Sequence, residues 1–286
     1  MLLPCERRSP AGTCGAPYDQ PVRQLDLNAD VGEGDPETDE ALLRLVTSAN
    51  VACGVHAGDA HSMRATVALA VHHRVAVGAH PGFKDREGFG RRPQQLTADE
   101  IRDLLLSQLG ALDAIARAEG TTLHHVKPHG ALYNQAETDP VLAVAIVAAI
   151  RAFDPTLRLV GRAGSAMQEA ARAIRHPFTA EAFADRRYRA DGTLLPRSEP
   201  AAVLTDPEEV ARQVRSLVTD GEVLASDGSR VAVSFETLCV HGDTPGAATL
   251  ARRIRQELGA LGVSVCAPPS VSSGSRDFPR VDTIPR

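Results

Sequence analysis

The segment QLDLNAD, residues 24–30, carries the pattern that decides the fold. Because the side chains of a strand alternate between its two faces, Asp26, Asn28 and Asp30 share one face and apolar residues occupy the other. A strand of an open doubly wound sheet is covered by helices on both faces and is apolar on both. Three polar side chains on one face instead suit the lumen of a closed barrel lined by a site. The segment therefore predicts a barrel.

Short strands and helices alternate along the rest of the chain. Strands are predicted at 24–30, 49–55, 74–80, 123–129, 157–161, 177–183, 236–242 and 262–267. The clearest helices are predicted at 97–120, 139–153 and 206–221. Seven or eight β-then-α repeats imply a parallel sheet with helices outside. We predict an α/β fold, an irregular TIM-like barrel of about seven parallel strands.

The two ends of the chain depart from this pattern. Residues 1–22 are rich in Pro, Gly, Cys and Arg without apolar periodicity, and residues 267–286 have a similar loop-like composition. We predict a single barrel domain over residues 23–266, with a disordered N-terminal extension before it and a flexible tail after it.

Composition and charge exclude several functional classes. The chain has 286 residues and a net charge of −5, which gives no electrostatic case for binding nucleic acid or an acidic membrane. No apolar run reaches the roughly 20 residues of a spanning helix, and the first residues lack the apolar core of a signal peptide. We therefore expect a cytoplasmic protein.

The cysteines indicate neither a metal knuckle nor a disulfide framework. The five cysteines are scattered and include no CxxC pair. Cys53 and Cys239 fall within apolar strand-like runs, where a free cysteine behaves as a small hydrophobic residue. We expect both to be packing residues.

Functional groups concentrate where the predicted strands end, which is where the active sites of (β/α) barrels lie. These groups are Asn28, Asp30, Glu33, His56, Asp59, His80, Asp85, Arg91, Arg92, Glu181, Asp185, Arg186, Tyr188, His241 and Asp243. Four histidines, His56, His80, His129 and His241, each follow a strand in a similar Gly-containing context. One such histidine is usually a packing or capping residue, but four at equivalent positions favour a shared site.

The segment HVKPHGALYN, residues 125–134, places His125, Lys127 and His129 on one face of a strand. Pro128 argues against a helix there. We expect all three side chains to face the lumen, with His125 as a deeper structural hydrogen-bonding residue and the other two nearer the mouth.

A mononuclear metal site is one interpretation of these groups. Asp30 with His56 and His129 would suit a divalent ion such as Mg²⁺. Alternatively, the same groups bind substrate and transfer protons without a metal, and a lysine between two ligands would repel an ion. The segment GFGRR, residues 88–92, suits a phosphate or carboxylate, or is a solvated loop. No P-loop, GxGxxG or GxSxG motif is present.

Six blocks carry a resemblance to a known family. In chain order they are LNADVGEG, TSANVACGVHAGD, VGAHPGFKDREGFGRR, HVKPHGALYN, EAFADRRY and CVHGDTPGA. Over about residues 24–265 the chain resembles the LamB/YcsF family. There are departures: Asp35-Pro36 stands where the family usually has Phe-Gly, Val55 where Phe is usual, and Phe83-Lys84 where Tyr-Pro is common. They alter the lining of the pocket rather than its ionisable groups.

The resemblance implies a barrel similar to those of the carbohydrate deacetylases. It also implies one component of a three-part bacterial enzyme, with two partner subunits B and C, that opens 5-oxo-L-proline to L-glutamate with ATP as co-substrate. Phosphorylation of the amide oxygen would make the lactam carbon electrophilic for water, which requires a general base, cations for phosphoryl oxygens and a clamp for the substrate carboxylate.

On this hypothesis the candidate residues divide by role. The catalytic candidates are Asp30, Glu33, His56, Asp59, Lys127 and His129. The substrate-binding candidates are Asn28, His80, Arg91, Arg92, Glu181, Asp185, Arg186, His241 and Asp243. Two other functions remain open: a metal-dependent deacetylase or amidohydrolase that acts alone, and a non-catalytic subunit that binds a small carboxylated ligand.

Overall fold

A computed structural model describes residues 23–269 of the chain. Its strands are β1 (Gln24–Val31), β2 (Ser48–Ala52), β3 (Ala76–His80), β4 (His125–Val126), β5 (Arg158–Arg162), β6 (Phe178–Phe183), β7 (Glu222–Leu224), β8 (Arg230–Ala232), β9 (Thr237–His241) and β10 (Ser264–Val265). Its helices are α1 (Pro36–Leu43), α2 (Ala60–His73), α3 (Ala98–Ala118), α4 (Gly130–Ala136), α5 (Pro140–Phe153), α6 (Ala166–Ala173), α7 (Pro207–Thr219) and α8 (Ala247–Ala260).

Seven parallel strands close into a barrel. They follow the order β1-β2-β3-β4-β5-β6-β9, and β9 pairs with β1 to complete the ring. The predicted barrel is therefore confirmed, with about the expected number of strands. The eighth predicted strand forms as β10, but it pairs only with the start of β1. The antiparallel hairpin β7-β8, which precedes β9, was not predicted.

Side-chain caps fix where the outer helices begin. Asp59, Thr97, Asp139 and Asp206 each accept a hydrogen bond from a backbone N–H in the first turn of α2, α3, α5 and α7. Such caps satisfy donors that the helix itself leaves unpaired. The three helices predicted most clearly from the sequence are α3, α5 and α7, and their observed bounds differ from the predicted ones by at most two residues.

The polar face of β1 points into the lumen, as its alternation predicts. Asp26, Asn28 and Asp30 are all buried there, and each hydrogen-bonds to polar side chains of other barrel strands. The apolar face packs outward against the helices, where Leu27 and Ala29 are fully buried. This arrangement stacks three polar layers along the barrel axis.

The strand β4 is shorter than its predicted span of 123–129, because Pro128 has no N–H to donate. The backbone N–H groups of Lys127 and His129 nevertheless donate to the carbonyl oxygens of Ala79 and Pro81, at 2.9 and 2.8 Å. The chain thus stays against β3 up to the start of α4. His125 fits inside because Gly78 faces it, and a Cβ at Gly78 would lie 2.1 Å from His125 Nε2.

Two expectations concern the chain outside the barrel. The predicted extension over residues 1–22, and the predicted tail apart from residues 267–269, lie outside the described residues. Between residues 23 and 269, no helix is long and apolar enough to cross a membrane.

Candidate active site

A pocket of about 770 Å³ opens at the carboxyl ends of the barrel strands. Its floor includes Asp30, Lys127 and His129, and its outer wall is formed largely by the loop after β6, residues 189–198. This is the end of a (β/α) barrel at which active sites are found. The volume is within the range of pockets that bind small ligands.

Lys127 lies at the centre of the floor and is buried. Its Nζ is 3.0 Å from Asp30 Oδ1 and 2.9 Å from Glu181 Oε1, and it also donates to Cys239 Sγ at 3.0 Å. Burial alone would lower the pKa of Lys127, but the charges of Asp30 and Glu181, together with the hydrogen bond to Cys239, raise it well above its usual value. The side chain is therefore a fixed cation at the base of the pocket.

The carboxylates around this lysine are held in place from behind. Glu181 accepts hydrogen bonds from Asn28 Nδ2 at 3.1 Å and from the Tyr133 hydroxyl at 3.1 Å. Asp30 accepts from Asn50 Nδ2 at 2.8 Å. Asn50 in turn accepts from His125 Nε2 at 2.7 Å through its Oδ1. His125 is thus the deeper structural residue that the sequence predicted.

Three histidines form a second cluster beside Asp30. The rings of His56 and His129 are stacked, with centroids 3.8 Å apart, and His80 meets both edge-on. Glu33 Oε1 lies 3.2 Å from His56 Nε2 and 3.2 Å from His129 Nδ1. Burial alone would raise the pKa of Glu33, but hydrogen bonds from His129 and His56 hold it well below its usual range. Burial lowers the pKa of His56 to about 4.

The backbone fixes which nitrogens of two of these rings carry hydrogen. His80 Nδ1 is 2.7 Å from the carbonyl oxygen of Lys127, and His129 Nε2 is 2.8 Å from that of Phe89. Carbonyl oxygens only accept hydrogen bonds, so both of these nitrogens donate. When both rings are neutral, the lone pairs lie on His80 Nε2 and His129 Nδ1, which are 3.0 Å apart. In that state two lone pairs and the Glu33 carboxylate meet at one point, whereas a protonated ring donates from the same nitrogen to Asp30 or Glu33.

Such a set of acceptors fits a bound cation. Ligating histidines usually donate their other N–H to a backbone carbonyl or a carboxylate, as His80 and His129 do here. His56 has no such support, because its Nδ1 is buried without a hydrogen-bond partner among residues 23–269. The donor set therefore fits Glu33, His80 and His129 better than the predicted set of Asp30, His56 and His129.

A second group of possible ligands does not fit a metal ion. Carboxylate, thiol and imidazole atoms of Asp30, Cys239 and His241 lie within 4.8 Å of one another. However, the ammonium of Lys127 is 3.0 Å from both Asp30 Oδ1 and Cys239 Sγ. A cation from the chain itself already lies at this position.

His241, whose ring lies within 4.8 Å of the Asp30 carboxylate, forms a dyad with Asp185. His241 Nδ1 is 2.9 Å from Asp185 Oδ1 and 3.1 Å from Oδ2, and the ring stacks on Phe183 with centroids 5.6 Å apart. Asp185 is fully buried and also accepts from the Thr244 hydroxyl at 3.0 Å. Burial alone would raise the pKa of Asp185, but His241 holds it below its usual value.

Arginines from separate loops lie at the mouth of the pocket. Arg91 and Arg197 both form ion pairs with Asp243. Arg186 is held by the carbonyl oxygens of Leu195, at 2.6 Å, and Ala202, at 3.4 Å. Burial lowers the pKa of Arg186 to about 10, so it remains charged at neutral pH. The mouth therefore offers cationic groups to an anionic ligand.

The structure brings most of the predicted site residues together, but not all. Asp59 is exposed and caps α2, where it accepts from the backbone N–H of Ser62 at 2.8 Å. Arg92 lies on the surface beside Asp85 and does not line the pocket. Neither residue is placed where it would touch a ligand on the floor.

Three residues in or beside the pocket were not predicted from the sequence as functional candidates. Cys239 is buried as expected, but it contacts Lys127 rather than only packing. Tyr133 supports Glu181, and Arg197 shares Asp243 with Arg91. The role of Tyr133 could have been predicted, since it lies four residues after His129 and therefore on the same side of α4. The role of Arg197 could not have been predicted from a sequence pattern, because it comes from an irregular loop.

The chain has known relatives in sequence and in fold. A family model described as the LamB/YcsF family matches residues 25–273. The chain belongs to the LamB/YcsF family. Five of the six sequence blocks that suggested this family contribute residues to the lining of the pocket, and the remaining block supplies His56, which stacks on His129.

One curated relative, from Methylococcus capsulatus, is described as the A subunit of 5-oxoprolinase. It is 54% identical over 250 residues, which cover 86% of this chain and 96% of the relative. A crystal structure of a lactam utilization protein from Thermus thermophilus has a TM-score of 0.80 and 47% identity, covering 85% of this chain and 99% of that one. An uncharacterised protein from Agrobacterium tumefaciens shares the fold alone, with a TM-score of 0.53, 13% identity, and coverage of 87% and 88%.

Proposed function

We propose that this chain is the A subunit of an ATP-dependent 5-oxoprolinase and that its barrel holds the ring-opening site. The observation that carries the proposal is Lys127, a buried cation at the floor of the pocket between Asp30 and Glu181. The proposal is supported by the description of the Methylococcus relative as a 5-oxoprolinase component and by that of the Thermus structure as a lactam utilization protein.

The reaction explains why the site needs both a cation and a base. A five-membered lactam is resonance-stabilised and re-forms readily, so its opening benefits from coupling to ATP. One ATP and two waters convert 5-oxo-L-proline to L-glutamate, ADP and phosphate, through phosphorylation of the amide oxygen. Water then attacks an electrophilic carbon, and negative charge develops on the oxygens attached to it.

The residues can be assigned to these needs. Lys127 stabilises the developing charge on the oxygens, because it is already desolvated and fixed in place by its carboxylate partners. Glu33 and the lone pairs of His80 and His129 accept the proton of the attacking water. Arg186 or Arg91, together with Arg197, binds the substrate carboxylate at the mouth.

Glu33, His80 and His129 would hold a divalent ion that accepts imidazole ligands, such as Zn²⁺ rather than the Mg²⁺ expected from the sequence, and it would lower the pKa of a bound water at this position. Without an ion, the same residues also promote the attack of water. Their lone pairs and carboxylate orient the attacking water and accept its proton, and the stacked ring of His56 fills the space behind them.

ATP is the proposed co-substrate, and subunits B and C are the proposed partners. A cytoplasmic location, and the absence of a nucleic-acid or membrane partner, stay predictions from the sequence. The outer pocket, with its arginines, is the part of this chain best suited to a phosphorylated substrate.

The test is an assay of the purified chain, with and without subunits B and C, given ATP and 5-oxoproline and scored for glutamate and ADP. The proposal expects glutamate and ADP in equal amounts, formed only when the partners are present. A wild-type complex that makes no glutamate would contradict it.

The convergence of Glu33, His80 and His129 favours one second candidate, a metal-dependent amidohydrolase that acts alone. This function predicts lactam or amide hydrolysis by the isolated chain with a divalent ion, lost on chelation and indifferent to ATP. Turnover that requires ATP would exclude it.

A further inference from the structure

The pocket floor holds two proton-transfer groups, and both lie beside Asp30. One consists of Glu33 and the three histidines. The other is the dyad of Asp185 and His241. A reaction that takes a proton from water and gives one to a leaving nitrogen needs both a base and an acid, and two groups in different environments can divide these tasks.

The dyad is built to present one nitrogen of His241 to the pocket. Both oxygens of Asp185 lie within 3.1 Å of His241 Nδ1, and Asp185 Oδ2 also accepts the backbone N–H of His241 at 3.1 Å. No hydrogen bond to His241 Nε2 is found among residues 23–269, and the residue lines the pocket. The buried carboxylate therefore fixes the hydrogen on Nδ1 and leaves Nε2 to exchange protons with a ligand.

The chemistry of the phosphorylated lactam makes this second group necessary. After water adds to the carbon, the tetrahedral intermediate can expel either phosphate or the ring nitrogen. Loss of phosphate re-forms 5-oxoproline and wastes the ATP. Loss of nitrogen opens the ring, but an amine leaves from such an intermediate only after it has gained a proton.

We propose that His241, positioned by Asp185, donates the proton from Nε2 to the ring nitrogen and so commits the intermediate to ring opening. This inference rests on the proposed function. His241 acts as the imidazolium, which has taken its Nε2 proton from solvent. As Nε2–H gives this proton, the electron pair of the carbon–nitrogen bond passes to nitrogen and forms the amino group. The Glu33 side, after releasing the first water's proton to solvent, accepts the proton of the hydroxyl on the same carbon, which becomes a carbonyl and leaves an acyl phosphate. A second water hydrolyses this acyl phosphate to the carboxylate and phosphate.

The role of Asp185 is positioning, since it reaches the substrate only through His241. On this account His241 and Asp185 couple ATP hydrolysis to ring opening. From the sequence, both residues had instead been predicted to bind substrate. Their loss should redirect the intermediate towards release of phosphate.

The experiment compares His241→Gln and Asp185→Asn in the complex with subunits B and C, measuring ADP, phosphate and glutamate together. We expect glutamate formation to fall by about 100-fold or more, while ADP and phosphate continue to form. His61→Gln makes the same chemical change at an exposed position on α2 and should keep one glutamate per ADP.

Two further measurements separate this role from a structural one. Thermal unfolding should show that the variants remain folded, and ¹⁵N NMR of the His241 ring should show its hydrogen on Nδ1 in the wild type and a changed tautomer in Asp185→Asn. A folded His241→Gln complex that still makes one glutamate per ADP would overturn the proposal. A wild-type complex that forms no glutamate would instead overturn the proposed function, so the two failures are distinct.

Discussion

The barrel lumen is polar at both ends, but the two ends hold their buried carboxylates in opposite ways. Asp26, at the lower end, accepts hydrogen bonds from the hydroxyls of Thr47 and Ser48, at 2.7 and 2.6 Å. Asp30, at the upper end, faces the Lys127 ammonium at 3.0 Å and His80 at 3.5 Å. Both residues lie on the same face of β1, four positions apart.

The difference appears in the direction of their pKa values. Burial raises the pKa of Asp26, and its hydroxyl partners offset only part of that effect. Burial alone would also raise the pKa of Asp30, but the charges of His80 and Lys127 bring it well below its usual value. The lower end encloses only about 10 Å³, room for about one water, whereas the upper end opens into the pocket. Both carboxylates are buried, so burial does not distinguish the two ends. The functional end is the one where the carboxylate has charged partners and the lumen opens into a pocket.

The largest expected effect is from Lys127→Met, which removes the cation at the upper end. Turnover of 5-oxoproline by the complex should fall by about 100- to 1000-fold, since a preorganised charge in a desolvated site is lost. Asp30 and Glu181 would be left without their shared partner, so the free energy of unfolding should fall by about 3–5 kcal/mol. Glutamate formation and urea unfolding measure the two effects. Full ATP-coupled turnover would remove Lys127 from the mechanism.

The pair Asp30→Asn and Asp26→Asn tests the comparison directly, because the same isosteric change is made at each end of one strand face. Asp30→Asn should reduce turnover by about 100-fold, as it releases the Lys127 ammonium and alters the charge beside His80. Asp26→Asn should leave turnover within about two-fold, since it alters no group that lines the pocket. Equal losses in the two variants would show that the lumen acts as one unit.

The closed barrel could be predicted from the sequence because β1 has polar residues on one face and apolar residues on the other. Its alternation is a property of local geometry, and a polar face toward the lumen follows from period two alone. The four strand-end histidines were predicted to share a site, and the structure brings His56, His80 and His129 into contact. His241 lines the same pocket but is paired with Asp185 rather than with that cluster.

The division of labour within the site was not predictable in this way. The role of Asp185 depends on the loop after β6 and on β9 meeting at one point, 56 residues apart in the chain. The tautomers of His80 and His129 depend on backbone carbonyls of Lys127 and Phe89, which no side-chain pattern encodes. Asp59 was placed among the catalytic candidates because it follows a strand, but a residue that follows a strand also often precedes a helix and caps it.

A third prediction concerns the upper end and a divalent cation. Glu33→Gln should reduce turnover by about 10- to 100-fold, because it weakens the acceptor set for the attacking water. If a cation is held there, metal analysis of the purified wild-type chain should show a bound divalent ion that Glu33→Gln loses. Chelation should then reduce wild-type turnover at constant free Mg²⁺–ATP. Wild-type chain that carries no ion after loading with Mg²⁺, Mn²⁺ or Zn²⁺ would assign the cluster to proton transfer alone.

A smaller effect is expected in how stability depends on pH. The lowered pKa of Asp30 contributes stability above about pH 4, the usual value for Asp, and this contribution is lost as the pH falls through its folded-state pKa. The raised pKa of Asp26 acts in the opposite direction, so its contribution declines as the pH rises from about 4. Urea unfolding between pH 3 and pH 8 should therefore show Asp30→Asn losing most stability at neutral pH, and Asp26→Asn gaining relative to wild type over the same interval. Parallel curves for the two variants would contradict the contrast between the two ends.

The smallest effect is expected from Asp59→Ala. Asp59 follows a strand, but its side chain faces solvent and lies at neither end of the barrel lumen. The substitution removes the side-chain acceptor for Ser62 N–H at the start of α2, so the unfolding temperature should fall by about 2–4 °C. Turnover should stay within about two-fold, because the carboxylate is exposed and belongs to neither proton-transfer group. Asp59→Asn serves as the matched variant, since asparagine also caps helices and should restore most of the unfolding temperature. A loss of turnover in Asp59→Ala that Asp59→Asn does not reverse would bring this residue back into the site and show that the pocket extends to the start of α2.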